Sequence, residues 1–80
     1  MEERKLKLIW DFKGPNAHKT AEHHAIHLKD YALQETIPYF KIGQTSLHDL
    51  HSIAFIAVPE RVMKKVRDDL KPHRGQLYTE

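Results

Sequence analysis

Apolar and polar residues alternate along this chain with two different periods, and each change of period marks an element. Over residues 5–12, Leu6, Leu8, Trp10 and Phe12 alternate with Lys5, Lys7, Ile9 and Asp11, the two-residue repeat of a half-buried strand. Gly14-Pro15-Asn16 breaks the run, and Asn16 is placed to cap a following helix with its side-chain oxygen. Over residues 17–35, Ala17, Ala21, Ala25, Leu28 and Ala32 recur at helical spacing. That stripe is mostly small, so the helix can lie close on whatever it covers. Thr36-Ile37-Pro38 ends it, because a proline disfavours helix in the residue before it.

The second half repeats the theme. Residues 37–43 read as a strand, with Pro38 pointing to a sheet edge. Residues 44–50 read as a loop holding one helical turn, begun by Ser46 with Asp49 three residues on. Residues 51–58 include Ile53, Ala54, Phe55, Ile56, Ala57 and Val58, apolar on both faces as in a strand covered on two sides. Pro59-Glu60 opens a second helix, proline being tolerated in the first turn, and Val62, Met63, Val66 and Leu70 form its inner stripe. Lys71-Pro72 closes it, and residues 76–78 make a short last strand after Gly75.

The order β-α-β-β-α-β resembles the ferredoxin-like split βαβ unit, and the layout is similar to that of the small dimeric α+β-barrel proteins. The resemblance implies an α+β fold in a single domain over residues 1–80. This is a two-layer sandwich with an antiparallel sheet and two helices on one face. It further implies a homodimer, each open sheet face covered by its twin. A lone monomer stays open as well, since Lys5 and Lys7 put charge on one face of the first strand. No catalytic signature of the superfamily stands in the chain, so no functional residue is carried over, and fold alone does not assign function.

Composition narrows the classes. The 80 residues are 40% hydrophobic and 30% charged, as in a globular domain. No apolar run approaches the ~20 residues of a membrane span. The start, Met1-Glu-Glu-Arg-Lys, is charged, and the apolar stretch Leu8-Ile9-Trp10 is too short for a secretory leader. Without cysteine there is no disulfide framework, which fits a cytoplasmic protein. A net charge of +2 is weak for a dedicated nucleic-acid binder, so that partner is not expected, nor is a membrane. No glycine-rich phosphate loop is present, and no cofactor is expected.

Seven histidines are the chemical oddity: His18, His23, His24, His27, His48, His51 and His73. Histidine changes charge near neutral pH, and its neutral ring ligates metals. In the βαββαβ layout the end of the first strand, the start of the first helix, the second β-connection and the end of the second helix share one rim. That gathers Asp11, Lys13, His18, His48, Asp49, His51, His73 and Arg74. For catalysis the candidates are His51 or His48 as general acid–base, with Asp11 orienting the ring. For binding a small organic ligand, an anion included, Lys13, His18, His73 and Arg74 join the outward N–H groups of the helix start. His23 and His27, four apart, have metal-ligand spacing on a helix, but a zinc site needs further ligands and a solvated helix face has the same pattern. His24 lies nearer the buried stripe, beside Tyr31, as a hydrogen-bonded packing residue. Ser46 and Ser52 lack the context of a nucleophile elbow.

Lys64, Lys65 and Arg67 make helix two basic, but Asp68 and Asp69 interrupt the run. Trp10, Phe12 and Phe55 fall where an RNA-recognition motif carries its aromatics, without its basic–Gly–aromatic pattern, and they are read as core. Three functions follow: a homodimeric domain with a small-molecule ligand at a histidine-rich rim, a histidine-based metal binder, and a weak nucleic-acid or protein-interaction module. The first is preferred, with an enzymatic role left undecided.

Overall fold

The computed structural model describes residues 4–78; Met1 to Glu3, part of the charged start, lie outside them. Six elements follow in the order β1 (Lys5–Lys13), α1 (Ala17–Gln34), β2 (Lys41–His48), β3 (His51–Pro59), α2 (Glu60–Leu70) and β4 (Arg74–Leu77). The strands form one four-stranded sheet in the order β2-β3-β1-β4, every neighbouring pair antiparallel. This is an α+β fold with both helices on one side of an open sheet.

Register decides which residues share a face. Leu8 lies opposite Ile56, Trp10 opposite Ala54 and Phe12 opposite Ser52, and this set faces the helices. There Leu8, Trp10, Ala54, Ile56 and Val58 pack with Ala21, Leu28 and Ala32 of α1 and Val66 of α2 in the main core. Small alanines let α1 sit close on the sheet, as its sequence stripe requires. Ala25, expected in that stripe, is only half-buried. The indole N–H of Trp10 donates to the carbonyl of Leu70 at 3.1 Å and ties β1 to the end of α2.

The other face carries a second, separate cluster of Ile9, Ile53 and Phe55, none more than 6% exposed. Among the described residues no helix lies over it. Phe55 extends across Gly43 on β2, where a Cβ would meet the ring at 3.1 Å, so the missing side chain makes room for the aromatic. The Nζ of Lys7 sits 4.3 Å from the centre of the same ring, roofing it from the solvent side. The doubly apolar reading of β3 therefore holds, with Lys7 over Phe55 on the side away from the helices.

Four local expectations are corrected. Residues 44–50 are not a loop with a helical turn: β2 runs on to His48, and only Asp49 and Leu50 turn. Gln44, Thr45 and Ser46 pair with Ala54, Ile53 and Ser52, and a polar edge strand is extended by its neighbour whatever its local signals say. Residues 37–40, Pro38 included, precede that strand. Asn16 caps α1 without a side-chain hydrogen bond; its carbonyl accepts the Thr20 N–H and hydroxyl instead. Pro59 ends β3 and stands just before α2 rather than within its first turn.

Helix α1 closes on Thr36 in the left-handed region, φ 53°, with the Ile37 N–H reaching back to the Ala32 carbonyl at 2.9 Å. Ile37 itself is buried, the apolar contact that accompanies such an end. The helices are clamped to each other by a polar chain. The Tyr31 hydroxyl donates to Asp69 at 2.6 Å, and Lys65 bridges Asp69 and Glu35 at 3.1 Å each. Burial, with Asp69 beside it, pushes the Tyr31 phenol up to about 12.

Candidate functional site

Strand β1 ends at Lys13 directly opposite His51, the first residue of β3, so the two strands deliver their polar ends to one edge of the sheet. Asp11, His51 and Arg74 all fall on the helix-free face, His51 on β3 and Arg74 on β4 each one diagonal step from Asp11 between them. The His51 Nε2 lies 2.9 Å from Asp11 Oδ1. The Arg74 guanidinium takes the same carboxylate with two N–H groups, Nε to Oδ2 at 3.0 Å and Nη2 to Oδ1 at 3.1 Å. Fork geometry of this kind both strengthens and orients the pair.

The electrostatics follow. Asp11 and His51 side chains are 20% and 19% exposed, so the carboxylate sits largely out of water. The Arg74 guanidinium bonded to it holds the Asp11 carboxyl below the usual 3.8; burial opposes this and the His51 hydrogen bond adds to it. Asp11 is therefore an acceptor only. A neutral His51 must then carry its proton on Nε2 and keep the Nδ1 lone pair, the form a base or ligand uses. The His48 ring stands edge-on to His51, centres 5.6 Å apart. His48 also accepts the Leu50 N–H at its Nδ1, 3.3 Å, within the β2–β3 turn.

The rest of the expected rim divides across the sheet. Nδ1 of His73 accepts the Asp11 backbone N–H at 2.8 Å, and the ring leans on Phe12 on the helix side, centres 6.5 Å apart. His18 lies within 3.1 Å of the Ser46 hydroxyl, which is 3.1 Å from that of the buried Ser52, and its other nitrogen faces Glu22 at 3.7 Å. Lys13 and Asp49 are exposed at the edge. So Lys13, His18, His73 and Arg74 do not form one anion cradle: Arg74 is engaged by Asp11 on the open face while the His18 and His73 rings lie on the helix side of the sheet. The Glu22–His18–Ser46–Ser52 chain was not anticipated. Its only sign in the sequence is the pair of serines, Ser46 and Ser52, on either side of the β2–β3 turn.

The helix histidines separate as well. His23 and His27 are exposed on α1, and among the described residues no three His, Asp or Glu side chains come together as metal ligands. His24 packs against Trp10 and Phe12, ring centres at 4.8 and 5.4 Å. Its packing role stands, but the expected hydrogen bond does not: its Nε2 is buried without a partner. Burial above all, with His27 and His73 nearby, holds the ring below its ordinary 6.5.

Hollows on the surface include two against α1. One of about 570 Å³ runs between α1 and β2, walled by Ala25, Ile26, Tyr39 and Ile42. The Asp11–His51–Arg74 cluster stands apart from it, at the lip of the sheet where β1 ends and β3 begins. Compared with known proteins, the chain matches no family model, no curated protein and no solved structure. Its chemistry has to be taken from its own residues.

Proposed function

We propose that this chain is a ferredoxin-like domain that binds a small organic anion at the Asp11–His51–Arg74 lip, with His51 able to exchange a proton with it. The observation carrying this reading is the convergence of three strands on one ionised, shielded carboxylate. Asp11 orients His51, Arg74 is half-exposed with N–H groups beyond the two it gives Asp11, and Lys13 adds a cation opposite His51. Such a set can pair with a carboxylate ligand while Nδ1 of His51 takes or returns a proton. Element order and the strand order β2-β3-β1-β4 support the ferredoxin-like reading. A chain without cysteine suits the reducing cytoplasm.

The lip is complete within one chain and needs no second copy. Only the layout resemblance supports the homodimer, and a ring of cations on the open face opposes pairing face to face. No helix among the described residues is long and apolar enough to cross a membrane. For the metal reading, the exposed His23–His27 pair lacks a third ligand among those residues.

The test is a titration of side-chain NMR signals with acetate, succinate and benzoate. Saturable shifts of the His51 ring and the Arg74 Nε–H, with Kd near or below about 1 mM, are expected. Arg74→Gln should abolish them while leaving the His18 ring unmoved. Shifts that do not saturate, or that survive in Arg74→Gln, reject the proposal.

A further inference from the structure

The sheet has two open edges, and they are unequal. β4 spans only Arg74–Leu77, while β2 runs over Lys41–His48 with β3 as its one strand neighbour among the described residues. On its outer side every second residue of β2 turns a backbone N–H and C=O away from β3, a template for a further strand. A bulge between Ser46 and His48 interrupts the ladder and leaves residues 41–46 as the regular stretch.

The hollow of about 570 Å³ lies beside this same stretch. Its helix wall is Glu22, Ala25, Ile26 and Lys29, a row at i, i+3, i+4 and i+7 on the flank of α1. Its strand wall is Ile42 and Gln44, which share the helix side of the sheet with their partners Ile56 and Ala54. None of the described β3 residues lines it, so it opens toward the edge and not into the core. Ile26 is 55% exposed there, an apolar side chain still open to a partner. His18, at the start of α1, meets Ser46, near the end of β2, at 3.1 Å, so the two elements run in opposite directions along the hollow. Glu22 therefore stands at its Gln44 end and Lys29 at its Ile42 end. Lys29 has no carboxylate within ion-pair distance among the described residues. The Gln44 Oε1 is buried without a partner among them.

We infer that this groove binds an extended segment of a partner protein, added as a strand antiparallel to β2, with an apolar side chain between a donor end at Glu22 and an acidic end at Lys29. An added strand satisfies the free backbone groups of β2 and sends alternate side chains over the hollow. Three successive inward positions of a strand span about 14 Å, against about 10 Å from residue 22 to residue 29 along α1, a difference the long side chains at both ends cover. The acidic group follows the apolar one in the segment, because a strand antiparallel to β2 passes Gln44 before Ile42. A donor at the first position also finds the Gln44 Oε1 once that amide turns outward. A second copy is the poorer occupant. Pairing β2 with its twin would leave the two β3 strands, and the α1 helices over them, three strand spacings or about 14 Å apart. Packed helices lie roughly 8–10 Å apart, so both hollows would remain unfilled.

Fluorescence anisotropy of the full chain with a labelled Ser-Arg-Thr-Val-Thr-Asp-Ser peptide tests this, with Arg, Val and Asp as the inward positions. Saturable binding with Kd below about 1 mM is expected. Methylating the backbone nitrogens of one alternate set of peptide residues should abolish it and methylating the other set should not, because only one set faces β2. Ile26→Ala should weaken binding about tenfold. Lys29→Glu should weaken it about fivefold, and replacing the peptide's Asp by Lys should restore it in that variant. Amide shifts on binding should map to residues 22–29 and 41–46. Absence of saturable binding overturns the inference. So does binding that responds equally to the two methylation patterns, or a free chain that sediments as a dimer which the peptide does not dissociate. Shifts confined to His51 and Arg74 also overturn it, and they would leave the organic-anion reading standing.

Discussion

At the scale of single residues, two histidines of the same chain behave in opposite ways because of where their nitrogens end. His51 puts Nε2 against an ionised carboxylate, whereas His24 puts Nε2 into the core with nothing to bond. Folding therefore favours the neutral His24 ring, and the unfolded chain takes up the proton first. Stability from this residue is full above pH 6.5 and is lost as pH falls from there through the lower folded value. The groups facing it, His27 and His73, add repulsion when they are protonated and no compensating anion. His24→Leu should therefore flatten stability between about pH 7.5 and about pH 5.5, where the wild type loses it. Urea unfolding at the two pH values measures this, and an equal loss in both proteins would remove His24 as the cause. The Asp11–His51 contact was legible beforehand, since strand order alone puts the end of β1 beside the start of β3. The Ser46 partner of His18 was not, because nothing local marks a polar stretch as the edge of a sheet.

At the scale of elements, helix ends and strand limits are where sequence signals and structure part. Pro38 was a sound reason to stop α1, but the chain turns earlier, through Thr36 at φ 53°. A β-branched residue is strained there, while glycine is not. Thr36→Gly should raise stability by about 1 kcal/mol, the ordinary cost of a left-handed L-residue, offset in part by the freer unfolded chain. A midpoint of urea unfolding that stays put or falls would show that the threonine side chain repays its strain. The second strand shows the converse: Gln44-Thr45-Ser46 has no apolar alternation, yet pairing with β3 draws it into the sheet. Both helices were located within a residue or so, because their apolar stripes persist over several turns and a stripe must be buried somewhere.

At the scale of the molecule, the open face of the sheet is the feature that reorganises the functional reading. Ile9, Ile53 and Phe55 are already buried within their own chain, Phe55 beneath Lys7, so a second copy would gain little apolar burial. It would instead bring Lys7 and Lys41 against their own images, a repulsion that salt relieves. Sedimentation at low ionic strength should therefore give the mass of one chain. A stable dimer under those conditions would show that the lysines rearrange or that copies meet through another surface, such as the β2 edge.

Period, punctuation and length by themselves determined the element order and which side of β1 faces the helices. Those properties depend on neighbours a few residues away and on the simple need to remove apolar stripes from water. Only the tertiary structure decided that Arg74 locks Asp11 and that His18 and His51 stand on opposite faces of the sheet. It also decided that lysines distant in number line one surface. Register across strands sets these relations, and register is a property of paired segments that no single segment contains.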